Sequence, residues 1–242
     1  MAVREAEQTA FGNPSSIHAA GRHARALLDE SRERLSVLWG CRPSEIIFTS
    51  GGTEANNLAV FGAARARADR GRHLITSPIE HPSVRQAFEY LAAREGYEVT
   101  IVRTDPLGVI DPGDVRRALR SDTTLVSVMA ANNEVGTLQP IRDIGELCRD
   151  HGVCFHTDAV QWFGKEPVAA IDDFAADLVA GCAHKLGGPR GAGVLYARSP
   201  LLLESAAGWW QPGERPPGRH GKPAGHCRPG CRLGALHETP GV

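Results

Sequence analysis

Seven short runs rich in apolar and β-branched residues alternate along the chain with stretches of helical periodicity. The runs are "EIIFTS" (45–50), "HLITS" (73–77), "YEVTIVR" (97–103), "TLVSVMAA" (124–131), "VCFHTDA" (153–159), "DLVAGCA" (177–183) and "GVLYAR" (193–198). Several are apolar on both faces, so both faces must be covered, and that is the pattern of a parallel sheet packed between helices. The intervening stretches supply the cover. "SIHAAGRHARALLDESRERLSVLW" (16–39) sets Ile17, Ala20, Ala24, Leu27, Ser31, Leu35 and Leu38 on one helical face. "TEANNLAVFGAARARA", "PSVRQAFEYLAARE" and "IRDIGELCRDHG" repeat the amphipathic design, the last with Gly152 as its expected C-cap. With no internal repeat, this alternation predicts an α/β fold with a mostly parallel sheet sandwiched by helices.

Bulk properties narrow the function classes. At 242 residues the chain has room for one sizeable domain or two small ones. Its 27 Lys and Arg nearly balance 28 Asp and Glu, which argues against nucleic acid or an anionic membrane as the main partner. No apolar run approaches the ~18 residues of a membrane span. The opening "MAVREAEQTA" carries acids and no apolar stretch, so it does not read as a signal peptide. Six scattered cysteines are expected to be reduced, which fits a cytoplasmic location.

In a sheet of this kind ligands gather beyond the carboxyl ends of the strands. The polar clusters fall there: "TSGGTEANN", "SPIEHPS", "ANNEVG", "HTDAVQ" and "AHKLGGPRG". Gly51 and Gly52 follow a strand and open a helix, so free N–H groups near Thr53 would suit a phosphate. The plainer alternative, Thr53 as an N-cap with Glu54 in the first turn, is the stronger reading of that stretch alone. Asp158 could pair with a protonated ring nitrogen, hold a metal, or cap a helix. Lys185 sits between an apolar strand and tight glycine turns, where an amine can become a nucleophile; most lysines are only solvated surface groups. His81, Asn132, Asn133 and Glu134 belong to the same layer. Phosphate turn, flat ring, amide, acid and lysine at successive strand ends form the set a pyridoxal 5′-phosphate (PLP) site needs.

"FGNPSSIHAAGR", "EIIFTSGGTEANNLAV", "IEHPSV", "ANNEVGTLQPI", "HTDAVQ" and "HKLGGPRGAGVLY" together resemble the cysteine desulfurases, in the class V aminotransferase-like group of fold type I PLP enzymes. The resemblance runs from about Phe11 to Tyr196 and implies the large PLP-binding domain of that fold. It also implies roles. Lys185 would carry the covalent link to PLP and shuttle the substrate α-proton, and His81 would stack on the pyridine and assist proton transfer. Asp158 would bond the pyridine nitrogen, and Asn133 and Gln161 would face the ring 3-oxygen. Thr53 and the Gly52 turn would take the phosphate with help from His184. Cys182 stands where a phosphate-binding serine is usual, and a thiol donates hydrogen bonds less well than a hydroxyl. The implied reaction removes sulfur from L-cysteine, giving L-alanine and an enzyme persulfide for iron–sulfur cluster or thio-cofactor synthesis. A homodimer and a sulfur-acceptor protein are the implied partners. Alternatives are an inactive fragment, a selenocysteine lyase, or another class V enzyme.

The chain departs from the family pattern at both ends. It is expected to divide into a remnant N-terminal segment (1–10), an incomplete PLP-binding large domain (11–205) and an aberrant, disordered tail (206–242), with the small C-terminal domain absent. None of the six cysteines matches the family's mobile-loop sulfur carrier. In the tail "GWWQPGERPPGRHGKP", codons read one nucleotide later permit G-G-S-Q-E-R-G-R-R-A-G-T-E-N, the family's next segment; Trp209 and Trp210 must both become glycine. A slip of the reading frame from about Gly208 is therefore expected, and sequencing the DNA checks it. A zinc knuckle of His226, Cys227, Cys231 and His237 fits the spacing only loosely and ranks well below it, so no metal is assigned.

Overall fold

A computed structural model describes residues 2–205 and 208–210. All seven expected strands form: β1 (Ile46–Thr49), β2 (His73–Thr76), β3 (Glu98–Ile101), β4 (Thr123–Ser127), β5 (Cys154–Asp158), β6 (Leu178–Cys182) and β7 (Gly193–Ala197). They make one sheet in the order β1-β7-β6-β5-β4-β2-β3. Pairings from β6 through β3 are parallel, while β7 runs antiparallel to both β1 and β6. The expected α/β sheet is thus present and mostly parallel.

Two-residue periodicity builds the layers. Leu74, Leu125, Cys154 and Leu178 enter one apolar cluster, while their neighbours Ile75, Val126, Phe155 and Val179 enter the other. Successive side chains on a strand point to opposite faces, so a run apolar at every position feeds both cores. Helices α3 (Gly52–Arg65) and α4 (Pro82–Glu95) cover the first face. The second is covered by the end of α2 (Ala19–Trp39), by α5 (Pro112–Ala118) and by α6 (Ile141–Asp150), with Phe163 and Phe174. Pro82 at the start of α4 has the backbone angle a helix begins with, and Gly96 ends that helix in the left-handed conformation at φ 70°.

The sequence-based boundaries need four corrections. Ile17 and Leu38, expected on the packed face of α2, are 90% and 71% exposed; Gly21, Ala24, Ser36 and Trp39 are the buried residues of that helix. The helix packs mainly against β1 and the turn before it, and through Trp39 against Phe163, so among the described residues Ile17 and Leu38 remain exposed. Strand β4 ends at Ser127, and Ala131 makes only an isolated bridge to Leu138. Gly152 lies one residue beyond the cap residue His151, at φ +66°. Three elements were not anticipated: α1 (Ala2–Thr9), α5, and a hairpin of β8 (Leu203–Ser205) with β9 (Gly208–Trp210), whose second strand lies where disorder was expected. Cys41, Cys148, Cys154 and Cys182 are free thiols, as expected; Cys227 and Cys231, with the zinc alternative and most of the tail, lie outside the described residues.

Candidate active site

Because β1 lies at one edge of the sheet and β2 near the other, α3 must cross between them, and it touches β1, β7, β6, β5 and β4 on the way. Ala55, Ala59 and Ala63 keep its buried face small. The N-cap of α3 is Gly51, and no side chain among the described residues caps the helix. Thr53 is therefore inside the first turn, exposed, and the N-cap reading of it is corrected. Glu54 instead reaches back to accept from the backbone N–H of Ser50 at 2.6 Å and from its hydroxyl, which lowers the Glu54 pKa. At Gly52 a Cβ would stand 2.8 Å from Val160 Cγ2, whereas one at Gly51 would meet nothing. The helix start is closed on the sheet side and open on the other.

One turn further on, α3 supplies a residue the sequence reading passed over. Asn56 is buried and donates from Nδ2 to Asp158 Oδ2 at 2.7 Å and to Ser83 Oγ at 2.9 Å. Asp158 closes β5, and its Oδ1 accepts from the Val160 N–H at 3.0 Å. Burial pushes the Asp158 carboxyl pKa up; the two N–H donors and His81 oppose that shift. Ser83 Oγ lies 2.7 Å from His81 Nδ1, and the Ser83 N–H also donates to Nδ1, at 3.2 Å. A continuous hydrogen-bonded chain thus joins the buried acid to the exposed histidine at the head of α4.

Glu80, beside His81, is a second buried acid that sequence reasoning missed. Its Oε1 accepts from Ser77 Oγ at 2.6 Å and from the Met129 N–H at 2.9 Å, while Oε2 has no partner among the described residues. Burial, reinforced by the charge of Asp158, pushes its pKa up to about 8 against those two donors. The available signal for Asn56 was a polar residue at an apolar-face position of an amphipathic helix. For Glu80 and Ser83 it was only their place beside His81.

The turn after β6 brings the remaining residues in. His184 and Lys185 lie in a 3₁₀ turn (Ala183–Leu186) ended by Gly187 at φ 76°, and both are exposed. Cys182 is buried, with Sγ 3.9 Å from His184 Nε2. Burial raises its thiol pKa, opposed by the N–H groups of Lys185 and His184 and by the charge of Lys185. Gln161 follows β5, and its Oε1 accepts from Lys165 Nζ, leaving its own amide N–H groups free. Asn133 is exposed in the turn beyond β4. Asn132 beside it is an anchor, donating to the Ile79 carbonyl at 3.1 Å and accepting from the N–H groups of Glu134 and Val135. All of the expected residues lie at or beyond the carboxyl ends of β1, β2, β4, β5 and β6, where the strand-end rule puts them.

The sequence profile described as Aminotransferase class-V matches residues 2–214. The chain belongs to this family. The matched span exceeds the motifs between Phe11 and Tyr196 at both ends and takes in the point at which a frame slip was expected. The chain is 46% identical over 188 residues to "Cysteine desulfurase IscS" of Dictyoglomus turgidum, covering 78% of this chain and 47% of that protein. It is 50% identical over 198 residues to "Putative cysteine desulfurase IscS 1" of Bacillus subtilis, covering 80% and 52%. Among solved structures, a "NIFS-LIKE PROTEIN" superposes with TM-score 0.79 at 36% identity, over 83% of this chain and 55% of that one. "SspA in complex with cysteine" superposes with TM-score 0.76 at 38% identity, over 81% and 56%. This class V chain spans about half the length of the curated relatives it matches.

Proposed function

We propose that the chain is the PLP-binding part of a cysteine desulfurase, which takes sulfur from L-cysteine and leaves L-alanine and an enzyme persulfide for iron–sulfur cluster or thio-cofactor synthesis. The observation that carries this reading is Asp158, a buried carboxylate held by two N–H donors at a strand end, between the histidine and lysine strand ends. The names of the relatives, and a similar structure in complex with cysteine, support the substrate.

The residues present fit PLP. The uncapped start of α3, open at Gly51, offers N–H groups and the positive end of the helix dipole to a phosphate. Each carboxylate oxygen of Asp158 accepts one hydrogen bond and keeps a lone pair for a ring N–H. When bound, PLP supplies an electron sink for the bonds at the substrate α-carbon. The chain's own groups do the rest. Thr53, His184 and Cys182 would hold the phosphate, and Gln161 and Asn133 would direct amides to the ring 3-oxygen. Asp158 would keep the ring nitrogen protonated. His81 would cover the ring face and move a proton at Nε2, while Lys185 would hold PLP through Nζ and return a proton from the same amine. A homodimer in the cytoplasm, handing sulfur to an acceptor protein, completes the proposal.

The test is reconstitution. The 242-residue chain mixed with PLP should gain a visible absorbance band that Lys185→Ala abolishes, and with a dithiol reductant added should release alanine and sulfide from L-cysteine, the dithiol being oxidised to its disulfide. A chain that never takes up the chromophore refutes the cofactor reading. Colour without turnover refutes desulfurase activity for this chain.

A further inference from the structure

We propose that Asn56 and Ser83 are positioning residues that relay the charge of Asp158 to His81 and hold its imidazole in the tautomer protonated at Nε2. The direction of every hydrogen bond in the chain follows from donor counting. Asn56 Nδ2 carries two hydrogens, and both are committed, one to Asp158 Oδ2 at 2.7 Å and one to Ser83 Oγ at 2.9 Å. Turning the amide over would set its oxygen against the carboxylate, so Asp158 fixes its orientation, although Asn56 Oδ1 is thereby left without a partner. Ser83 Oγ accepts from Asn56, and its single hydrogen is free for His81 Nδ1, 2.7 Å away. The Ser83 backbone N–H, at 3.2 Å, also points at Nδ1. Two donors converge on that nitrogen, so it is an acceptor and the neutral ring carries its proton on Nε2.

The consequence lies at the mouth of the site. An exposed ring alone interconverts between tautomers, but this one is directed by a buried acid three hydrogen bonds away. Its proton is presented at the nitrogen remote from the protein backbone. The purpose of the relay rests on the reading of Asp158 and His81 as the cofactor's acid and ring partner. The tautomer itself belongs to the chain and can be read without cofactor.

The test is long-range ¹H–¹⁵N correlation of the ¹⁵N-histidine-labelled full chain without PLP, with His81 assigned by its loss in His81→Gln. The expected spectrum has Nδ1 unprotonated and Nε2 protonated. Asn56→Leu and Ser83→Ala should each raise the Nδ1–H share about threefold or more, as one hydrogen bond's worth of bias is lost. The change in Ser83→Ala is partial because the backbone donor remains, and Ser83→Thr should restore the native pattern. Cooperative melting confirms that each variant folds. If Asn56→Leu does not fold, Ser83→Ala, which loses only one hydroxyl, decides. A native His81 protonated at Nδ1, or folded variants with an unchanged spectrum, overturns the proposal. A PLP titration of the same samples separates the two claims: native chain that binds no PLP but has the expected tautomer sinks only the function, and the reverse sinks only the relay.

Discussion

Asn56 Oδ1 finds no hydrogen-bond donor among the described residues, and a buried acceptor left unsatisfied costs about 1–3 kcal/mol. That cost is tolerated because the other end of the amide serves a carboxylate that would otherwise be poorly satisfied in an apolar interior. Glu80 answers the same difficulty differently, by binding a proton. Its pKa rises from 4.5 to about 8, so its contribution to stability is full below 4.5 and is lost as pH climbs through 8. Glu80→Gln removes the titration while keeping an oxygen for Ser77 and Met129. Urea unfolding should show the variant gaining on the native chain between pH 5 and pH 9 by on the order of a few kcal/mol. Parallel stability curves across that range would show that Glu80 is already ionised in the folded protein.

At the scale of elements, close approach decides where helices can lie. Helix α6 packs through Gly145, where a Cβ would stand 2.6 Å from the Ala175 carbonyl oxygen. Backbone cannot rotate away as a side chain tip can, so Gly145→Ala should destabilise by about 1–3 kcal/mol. A thermal melt checks this, and an unchanged midpoint would mean that α6 slides freely. Helix α3 has the more demanding place. It carries the candidate phosphate end at Gly51–Thr53 and, one turn later, the amide that holds Asp158. Its crossing of the sheet therefore spaces the two poles of the site by helix geometry rather than by a flexible loop.

At the scale of the whole molecule, large apolar side chains among the described residues lie exposed along α2 and the segment before it. Phe11, Ile17, Val37 and Leu38 are 80%, 90%, 81% and 71% exposed, all in α2 or the segment before it. Such surface marks an association face or a solubility liability. The double variant Val37→Glu/Leu38→Glu should shift the chain toward the monomer in light scattering coupled to gel filtration, and improve recovery. An associated species of the same mass in both proteins would rule this face out. Local pattern was enough for much of the fold. Strand periodicity, the proline that opens α4 and the glycine turns are properties of neighbouring residues, so all seven strands of the sheet and the strand-end position of Asp158, His81 and Lys185 could be read along the chain. The exposed stripe of α2 could not, because periodicity says which residues share a face but not whether anything covers it. Nor could the partnership of Asn56 with Asp158, 102 residues apart, or of Asn56 with Ser83, 27 apart. Hydrogen bonds depend on distance and direction in space. Those are set only when the sheet order brings β5 under α3, whose Asn56 also reaches the start of α4.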